Sequence, residues 1–260
     1  MNGQFQFNSA HKFNGVIWNT LAIPENEVIL LEVRNHEQKR VSFSAFNYKA
    51  NSFLWQEKTL EEPWWVNLSV ASKGVIIFTI YIGTNNPDKK GIIAYTLNNL
   101  QIKWWSNDFS LTGLSGDKVY GINTNLGFKS QVLDLQTGKE CQNTPFEQES
   151  KKVNEVIRPV QYAEGMPYFD QVKRFLIGKL NLLPVVSLEY IEYNSCIFVS
   201  CYVEEGGLAN YLLILSENGE ELLKEKIGEQ LQGVGLDTFF ILDEYLFFVK
   251  NKLELVSFKL

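Results

Sequence analysis

The residues of this chain that could do chemistry are few: two histidines, three cysteines and a scatter of carboxylates. His11 and His36 both stand in polar surroundings near the ends of predicted strands. A zinc site needs imidazoles to converge with thiolates or carboxylates. Neither histidine sits in such a cluster, so both read as surface imidazoles. A serine nucleophile would need one of them as its base, and no G-x-S-x-G elbow occurs. Gly233-Val234-Gly235 has the start of a phosphate-binding loop but lacks the third glycine and the following helix, so it reads as a strand-entry turn. Carboxylates remain, because paired acids are the machinery of glycoside hydrolysis. Aligned on the repeating unit of the chain, Glu189 and Asp237 share one inner-strand position with Asn19, Asn67 and Ser110, where they would face a central channel. A sialidase-type S-x-D-x-G-x-x-W box is missing. No catalytic residue, metal site or cofactor is assigned.

Aromatic side chains offer binding rather than catalysis. In the doublets Trp64-Trp65 and Trp104-Trp105, neighbours along a strand face opposite sides, so one indole of each pair packs inward and the other is more exposed. An exposed indole can stack on a sugar or anchor a partner. The expected ligand-binding positions are therefore Trp18 and Asn19 in the first repeat and Trp65 and Asn67 in the second. The alternating segment Glu189-Tyr190-Ile191-Glu192-Tyr193 supplies a pocket rim through Glu189, Tyr190 and Tyr193, joined by Tyr162 and Asp237.

These residues are carried on a repeat of roughly 45 residues, the kind of period that marks stacked supersecondary units. Ala45–Trp55 and Ala94–Trp104 each run from a strand beginning with Ala, through a polar turn, to a Trp ten residues on. Val132–Gln142 repeats the hairpin with Thr137-Gly138 at its turn. Leu213–Leu223 repeats it with Asn218-Gly219, the dipeptide most suited to a tight hairpin. An apolar strand precedes each hairpin, at Val28–Val33, Val75–Ile82, Lys118–Ile122 and Cys196–Val203, and a fifth such strand lies at Tyr245–Val249. A further strand precedes each of those, at Val16–Ile23, Trp65–Ala71, Phe109–Leu114, Val185–Tyr193 and Val234–Leu242. The expected fold is all-β, a single β-propeller domain over residues 1–260, with about five four-stranded blades or alternatively six.

Two irregularities qualify the repeat. The last unit lacks a fourth strand, and Gln4–Phe7, which alternates polar and apolar residues, is expected to pair with Leu253–Phe258 and close the ring. Deleting residues 1–8 should then lower stability by several kcal/mol. Residues 144–184 form an insertion that opens with the charged stretch Glu147–Glu155. From Tyr168 to Leu180 its period becomes 3.6, placing Phe169, Val172, Phe175 and Leu176 on one face and Asp170, Gln171, Lys173 and Arg174 on the other. Pro167 suits the first helical position, and Gly178 or Asn181 the stop. The helix, Tyr162 and the Glu189–Tyr193 strand are expected to border a cavity.

The hairpins at Ala45–Trp55, Ala94–Trp104 and Val132–Gln142, the last with Asp134, Thr137 and Gly138, resemble the repeat of quinoprotein-like and WD-type β-propellers over about two thirds of the chain. The resemblance implies that Trp55 and Trp104 pack between neighbouring blades. The chain is also similar to an uncharacterised family of bacterial proteins of about this length, from which no activity follows. It is too short for an eight-bladed quinoprotein ring and lacks the paired cysteines and calcium ligands of those proteins, so pyrroloquinoline quinone binding is not implied.

Composition narrows the classes further. A net charge of −6 and the lack of any basic cluster argue against double-stranded nucleic acid as a partner. No run of 18 apolar residues suggests a membrane span, and Met1–Gly15 lacks the apolar run of a signal peptide. Cys141, Cys196 and Cys201 are odd in number without C-x-x-C spacing, which fits reduced thiols in the cytoplasm. The function expected is a non-enzymatic binding or protein-interaction scaffold with a protein or small-molecule partner. The alternatives are a carboxylate-based glycoside hydrolase and a structural subunit of a larger complex.

Overall fold

The computed structural model describes residues 5–83, 89–125, 127–142, 145–146 and 156–260. Asn143, Gln4 and the charged stretch Glu147–Glu155 lie outside them. Among the described residues run twenty strands in five antiparallel sheets and one α-helix. The chain divides into two compact units, Asn14–Asn154 and Met1–Phe13 with Glu155–Leu260. The first strand, β1 (Gln6–Lys12), belongs to the latter.

The Asn14–Asn154 unit opens with the sheet β2 (Val16–Ile23), β3 (Val28–Asn35), β4 (Arg40–Asn47) and β5 (Ser52–Lys58). The second sheet is β6 (Val66–Ser72), β7 (Val75–Tyr81), β8 (Lys90–Thr96) and β9 (Ile102–Ser106), and the third is β10 (Phe109–Ser115), β11 (Lys118–Asn123) and β12 (Lys129–Asp134). Strand β7, Val-Ile-Ile-Phe-Thr-Ile-Tyr, is apolar on both of its faces, and the structure uses both. Ile76 and Phe78 pack with Leu30, Phe43 and Trp55 of the first sheet. Val75 and Ile77 pack with Phe109, Val119 and Leu133 of the third. Side chains of this size each gain about 1.5–3 kcal/mol on full burial.

The repeat is written in the turns. The equivalent fourth turn positions Asn51, Leu100, Gly138 and Gly219 all have left-handed backbone, with φ of 51°, 52°, 68° and 80°. Each turn of the second and third sheets also receives an indole from the sheet before it. Trp55 Nε1 donates to the Leu97 carbonyl at 2.6 Å, and Trp104 Nε1 to the Leu135 carbonyl at 2.9 Å. Trp104 lies so close over Gly138 that a Cβ there would stand 2.5 Å from its ring.

The third copy of the hairpin departs from expectation. After Gly138 the return strand shrinks to one bridge, Leu133 to Glu140, so this sheet has three strands. The reason is visible at the place where the other copies carry Trp55 and Trp104. Here it is Gln142, which has no apolar ring to anchor a fourth strand.

In the other unit, β13 (Val160–Ala163) and α1 (Pro167–Leu180) precede a sheet made with β14 (Val185–Tyr193), β15 (Cys196–Glu204), β16 (Leu208–Ser216) and β17 (Glu221–Leu231). The last sheet is β18 (Phe239–Leu242), β19 (Tyr245–Lys250), β20 (Glu254–Lys259) and β1. The described part of the interval thus contributes one strand and one helix rather than four strands. Pro167 opens the helix, and Asn181 ends it in left-handed conformation, its N–H returning to the Ile177 carbonyl. Phe169, Val172 and Leu176 are buried against Leu188, Val199, Cys201 and Leu213, with Phe175 partly buried beside them. On the opposite face of that sheet, Phe198, Leu212 and Ile214 pack with Phe239, Leu246 and Phe248. Phe175 stands over Gly219, where a Cβ would meet its ring at 2.7 Å. The helix therefore offers the hairpin glycine an aromatic ring, as Trp104 does at Gly138.

The N-terminal strand pairs with β20, antiparallel, with Phe7 opposite Phe258 and Lys12 opposite Glu254. It begins later and runs further than Gln4–Phe7. The extension is polar, and its alternation is broken at Asn8 by a bulge. What holds it is a buried serine pair, Ser9 Oγ to Ser257 Oγ at 2.8 Å, with Asn8 Nδ2 donating to Ser257 Oγ at 3.0 Å. Strand β18 is shorter than Val234–Leu242, because the backbone ahead of it is taken up by side chains of other strands.

Candidate binding surface

Within the otherwise apolar strand β3, Glu32 and Arg34 are two residues apart and so share a face. Both are buried. Arg34 Nε donates to Glu32 Oε1 at 2.7 Å, and a terminal nitrogen donates to the Val66 carbonyl at 2.9 Å and to Asn67 Oδ1 at 2.5 Å. The Leu68 N–H donates to Glu32 Oε2 at 2.7 Å. The pair thereby fastens β3 to β6 of the next sheet. Asn19 adds to the same seam, its amide donating to the Leu68 carbonyl at 3.1 Å. Burial pushes the Glu32 carboxyl up, against the pull of the Leu68 N–H and of Arg34.

Around this pair lies a set of rings. The Arg34 guanidinium lies against two indoles, 5.5 Å from the centre of Trp18 and 5.3 Å from that of Trp64. The imidazole of His36 meets both edgewise, at 6.3 and 5.2 Å. Lys39 Nζ lies 5.1 Å from the centre of Trp64. Asn67, held by Arg34, donates on to the Tyr81 hydroxyl at 3.2 Å, and Tyr81 meets the edge of Trp65 at 6.4 Å. Trp18 is the extra residue of a β-bulge, since Ile17 opposes Val33 and Asn19 opposes Glu32. Bulges re-aim side chains, and this one turns the indole outward, leaving it 61% exposed. Trp65 is 50% exposed. Trp18, Asn19, Trp65 and Asn67 thus fall in one neighbourhood. Glu32, Arg34, His36 and Trp64, the residues that organise it, were not among the sequence candidates. Two charges on one face of an apolar strand were the legible signal.

The acidic candidates lie in the other unit, and Glu189 is not a rim residue. It is buried, and its carboxylate accepts from the Thr238 N–H at 3.0 Å and from the Thr238 hydroxyl. Thr238 Oγ1 also meets Ser200 Oγ at 2.7 Å, and Ser200 Oγ meets Asn210 Oδ1 at 3.0 Å. Burial raises the Glu189 carboxyl, opposed by the Thr238 and Asp237 donors. Glu189 therefore fastens β14 to the entry of β18 as Glu32 fastens β3 to β6. Asp237 is exposed, lies outside any strand and pairs with Arg158 at 3.0 Å. The Tyr202 hydroxyl accepts the Gly235 N–H at 2.7 Å. Tyr162 stacks on Tyr168 at 5.0 Å and packs with Tyr190 on the helix-covered face. The Tyr190 hydroxyl donates to Glu192, and burial raises its pKa. Tyr193 packs on the opposite face and donates to the Asp243 carbonyl at 3.1 Å.

Among the described residues no group of three or more His, Cys, Asp and Glu side chains could hold a metal ion, and no helix is long and apolar enough to cross a membrane. The fold and these seams define an all-β chain of successive antiparallel sheets, with one buried carboxylate joining a pair of sheets in each unit. Residues 22–104, which span β3 to most of β9, match the model of a domain of unknown function, DUF4905. No curated protein matches the sequence. Among solved structures, the chain is similar to one from a study of two prolyl endopeptidases, with 14% identity and a TM-score of 0.34, over 90% of this chain and 31% of that one. It is also similar to the AfRom2 CNH domain, with 10% identity and a TM-score of 0.32, over 96% of this chain and 82% of that one.

Proposed function

We propose that the sheets are blades of a small β-propeller, closed by the N-terminal strand, and that the protein is a non-enzymatic binding module. Its recognition surface is the set of rings around Arg34. The observation that carries this reading is Trp18, an indole turned outward by a bulge yet backed by a guanidinium with several acceptors. Rigid, half-exposed aromatic anchors of this kind dominate binding energies. The carboxylates support the same reading. Glu189 is filled by its Thr238 donors and Asp237 by Arg158, so the two acids of the hydrolase alternative are already engaged in holding the fold. Native mass spectrometry of the endogenous protein, compared with the Trp18→Ala/Trp65→Ala variant, tests the proposal. A bound species should vanish in that variant and persist in Trp105→Ala, whose indole is also exposed but lies on β9. A species retained by the double variant, or lost equally from both, removes the surface from consideration.

A further inference from the structure

Resting on that reading, we infer that the ligand of this surface is a neutral saccharide, whose pyranose rings stack on the outer faces of Trp18 and Trp65. The argument begins with what the rings can no longer accept. A pair of indoles flanking a gap is the geometry of a cage for a cationic ligand. Here the chain's own cation already takes up both rings, the Arg34 guanidinium lying 5.5 and 5.3 Å from their centres. A proline-rich peptide needs an aromatic-lined groove. His36 bridges the edges of Trp18 and Trp64, so the space between those rings is filled by the chain itself. What remain open are the two exposed indoles at the ends of the Arg34–Asn67–Tyr81 chain of contacts, Trp18 against Arg34 and Trp65 against Tyr81.

Charge selects further. Arg34 is matched by Glu32. Lys39 lies over the ring of Trp64, whose backbone N–H, with that of Trp65, donates to Glu62 at 2.9 and 2.8 Å. Lys90 Nζ lies 5.3 Å from the centre of Tyr81, so the set holds three cations against two carboxylates, a single local excess on a chain of net charge −6 and a weak field for a polyanion. The exposed hairpin beside Trp18 carries the side chains of His36 and Gln38, which can both give and accept hydrogen bonds, on a turn that Asn35 holds. Asn35 donates to the Asn14 carbonyl at 3.4 Å and accepts the Gln38 N–H at 3.0 Å, with His36 between them. A pyranose presents an apolar C–H face to an indole and hydroxyls at its edge. A flat indole bordered by amides and an imidazole, with little net charge, is the complement of that shape.

The test is isothermal titration, with tryptophan fluorescence as a second readout, against maltohexaose, cellohexaose, xylohexaose and chitohexaose. Polygalacturonate and a decaproline peptide serve as comparison probes. At least one neutral hexasaccharide should bind, with affinity falling about tenfold or more in Trp18→Ala. Trp18→Phe should keep part of it, and Trp105→Ala should be unchanged. Circular dichroism of the variants separates loss of a stacking face from loss of fold, and Trp65→Ala provides an independent readout. Binding of none of the four, or binding indifferent to Trp18 and Trp65, overturns the inference. So does binding confined to polygalacturonate or decaproline. A Trp18-dependent protein partner found by native mass spectrometry alongside four negative titrations would refute the saccharide while leaving the recognition surface in place.

Discussion

Replacing Gly138 with alanine isolates the packing of one sheet on the next. Gly138 has φ of 68°, where an L residue costs about 1–2 kcal/mol. Its new Cβ would also stand 2.5 Å from Trp104, whose indole is buried and tied to Leu135, so it cannot swing aside freely. Overpacking of this kind costs about 1–3 kcal/mol, for a total of about 2–5 kcal/mol. At about 2–4 °C per kcal/mol for a chain of this size, the melting temperature should fall by at least about 4 °C. Gly74→Ala is the control. Its φ is 73° but nothing lies within 4 Å of the added carbon, so only the backbone part applies. Trp104→Ala alone should cost about 3–5 kcal/mol. Combined with Gly138→Ala it should cost about 1–3 kcal/mol less than the sum, because the clash is gone. Urea unfolding of the four proteins measures the cycle. If Gly138→Ala matches Gly74→Ala, or the two changes simply add, the indole does not lock this turn.

Arg34→Met should destabilise by about 3–5 kcal/mol, because it leaves Glu32 buried without its cation, and Glu32→Gln/Arg34→Met should regain much of that loss. Urea midpoints of the single and double variants check this. Burial raises the folded-state pKa of Glu189 above its unfolded value, so the native state retains that proton over the window between them. The stability Glu189 contributes is present below the unfolded pKa and lost as pH rises through the folded one. Glu189→Gln has no proton to lose, and its melting temperature should gain on the parent as pH rises above the ordinary glutamate value. A constant offset over that range would refute the shift. Deleting residues 1–8 should cost a few kcal/mol by removing Phe5 from the Phe198–Phe258 core and unpairing the first rungs of β20, which thermal unfolding would register.

The repeat was legible because it rests on local rules: apolar strands, turns needing a left-handed residue, and an aromatic ten residues on. Gly138 and Gly219 announce that turn position. Leu100 occupies it too, with nothing in its chemistry to mark it, and only the spacing to Trp104 reveals the match. Helix α1 was legible for the same reason, its apolar face being spelled out within one turn-to-turn period. The seams were not. Whether Glu189 lines a rim or bonds Thr238 depends on a residue 49 positions away, and no periodicity encodes such a partner. Val234–Thr238 looks like strand by composition, yet its N–H groups are claimed by Tyr202 and Glu189. The Trp18 surface was half visible: the exposed rings could be named, but the bulge and the cation that stiffen them arise from pairing register.

The serine-sealed pairing of β1 with β20 joins residues 248 apart, so it imposes an order on synthesis. Elongation at about 5–20 residues per second leaves β1 without its partner for roughly 10–50 s. During that time Phe5 and Phe7 head a strand with nothing to pair against, a template for aggregation. Asn8, Ser9, His11 and Lys12 give that waiting strand a polar body, useful to a segment that must stay soluble until its partner emerges. Contacts between residues so distant in sequence also slow folding, because the loop must close before they repay it. The last sheet is therefore expected to be the last to form, after the helix-covered sheet beside it has already condensed.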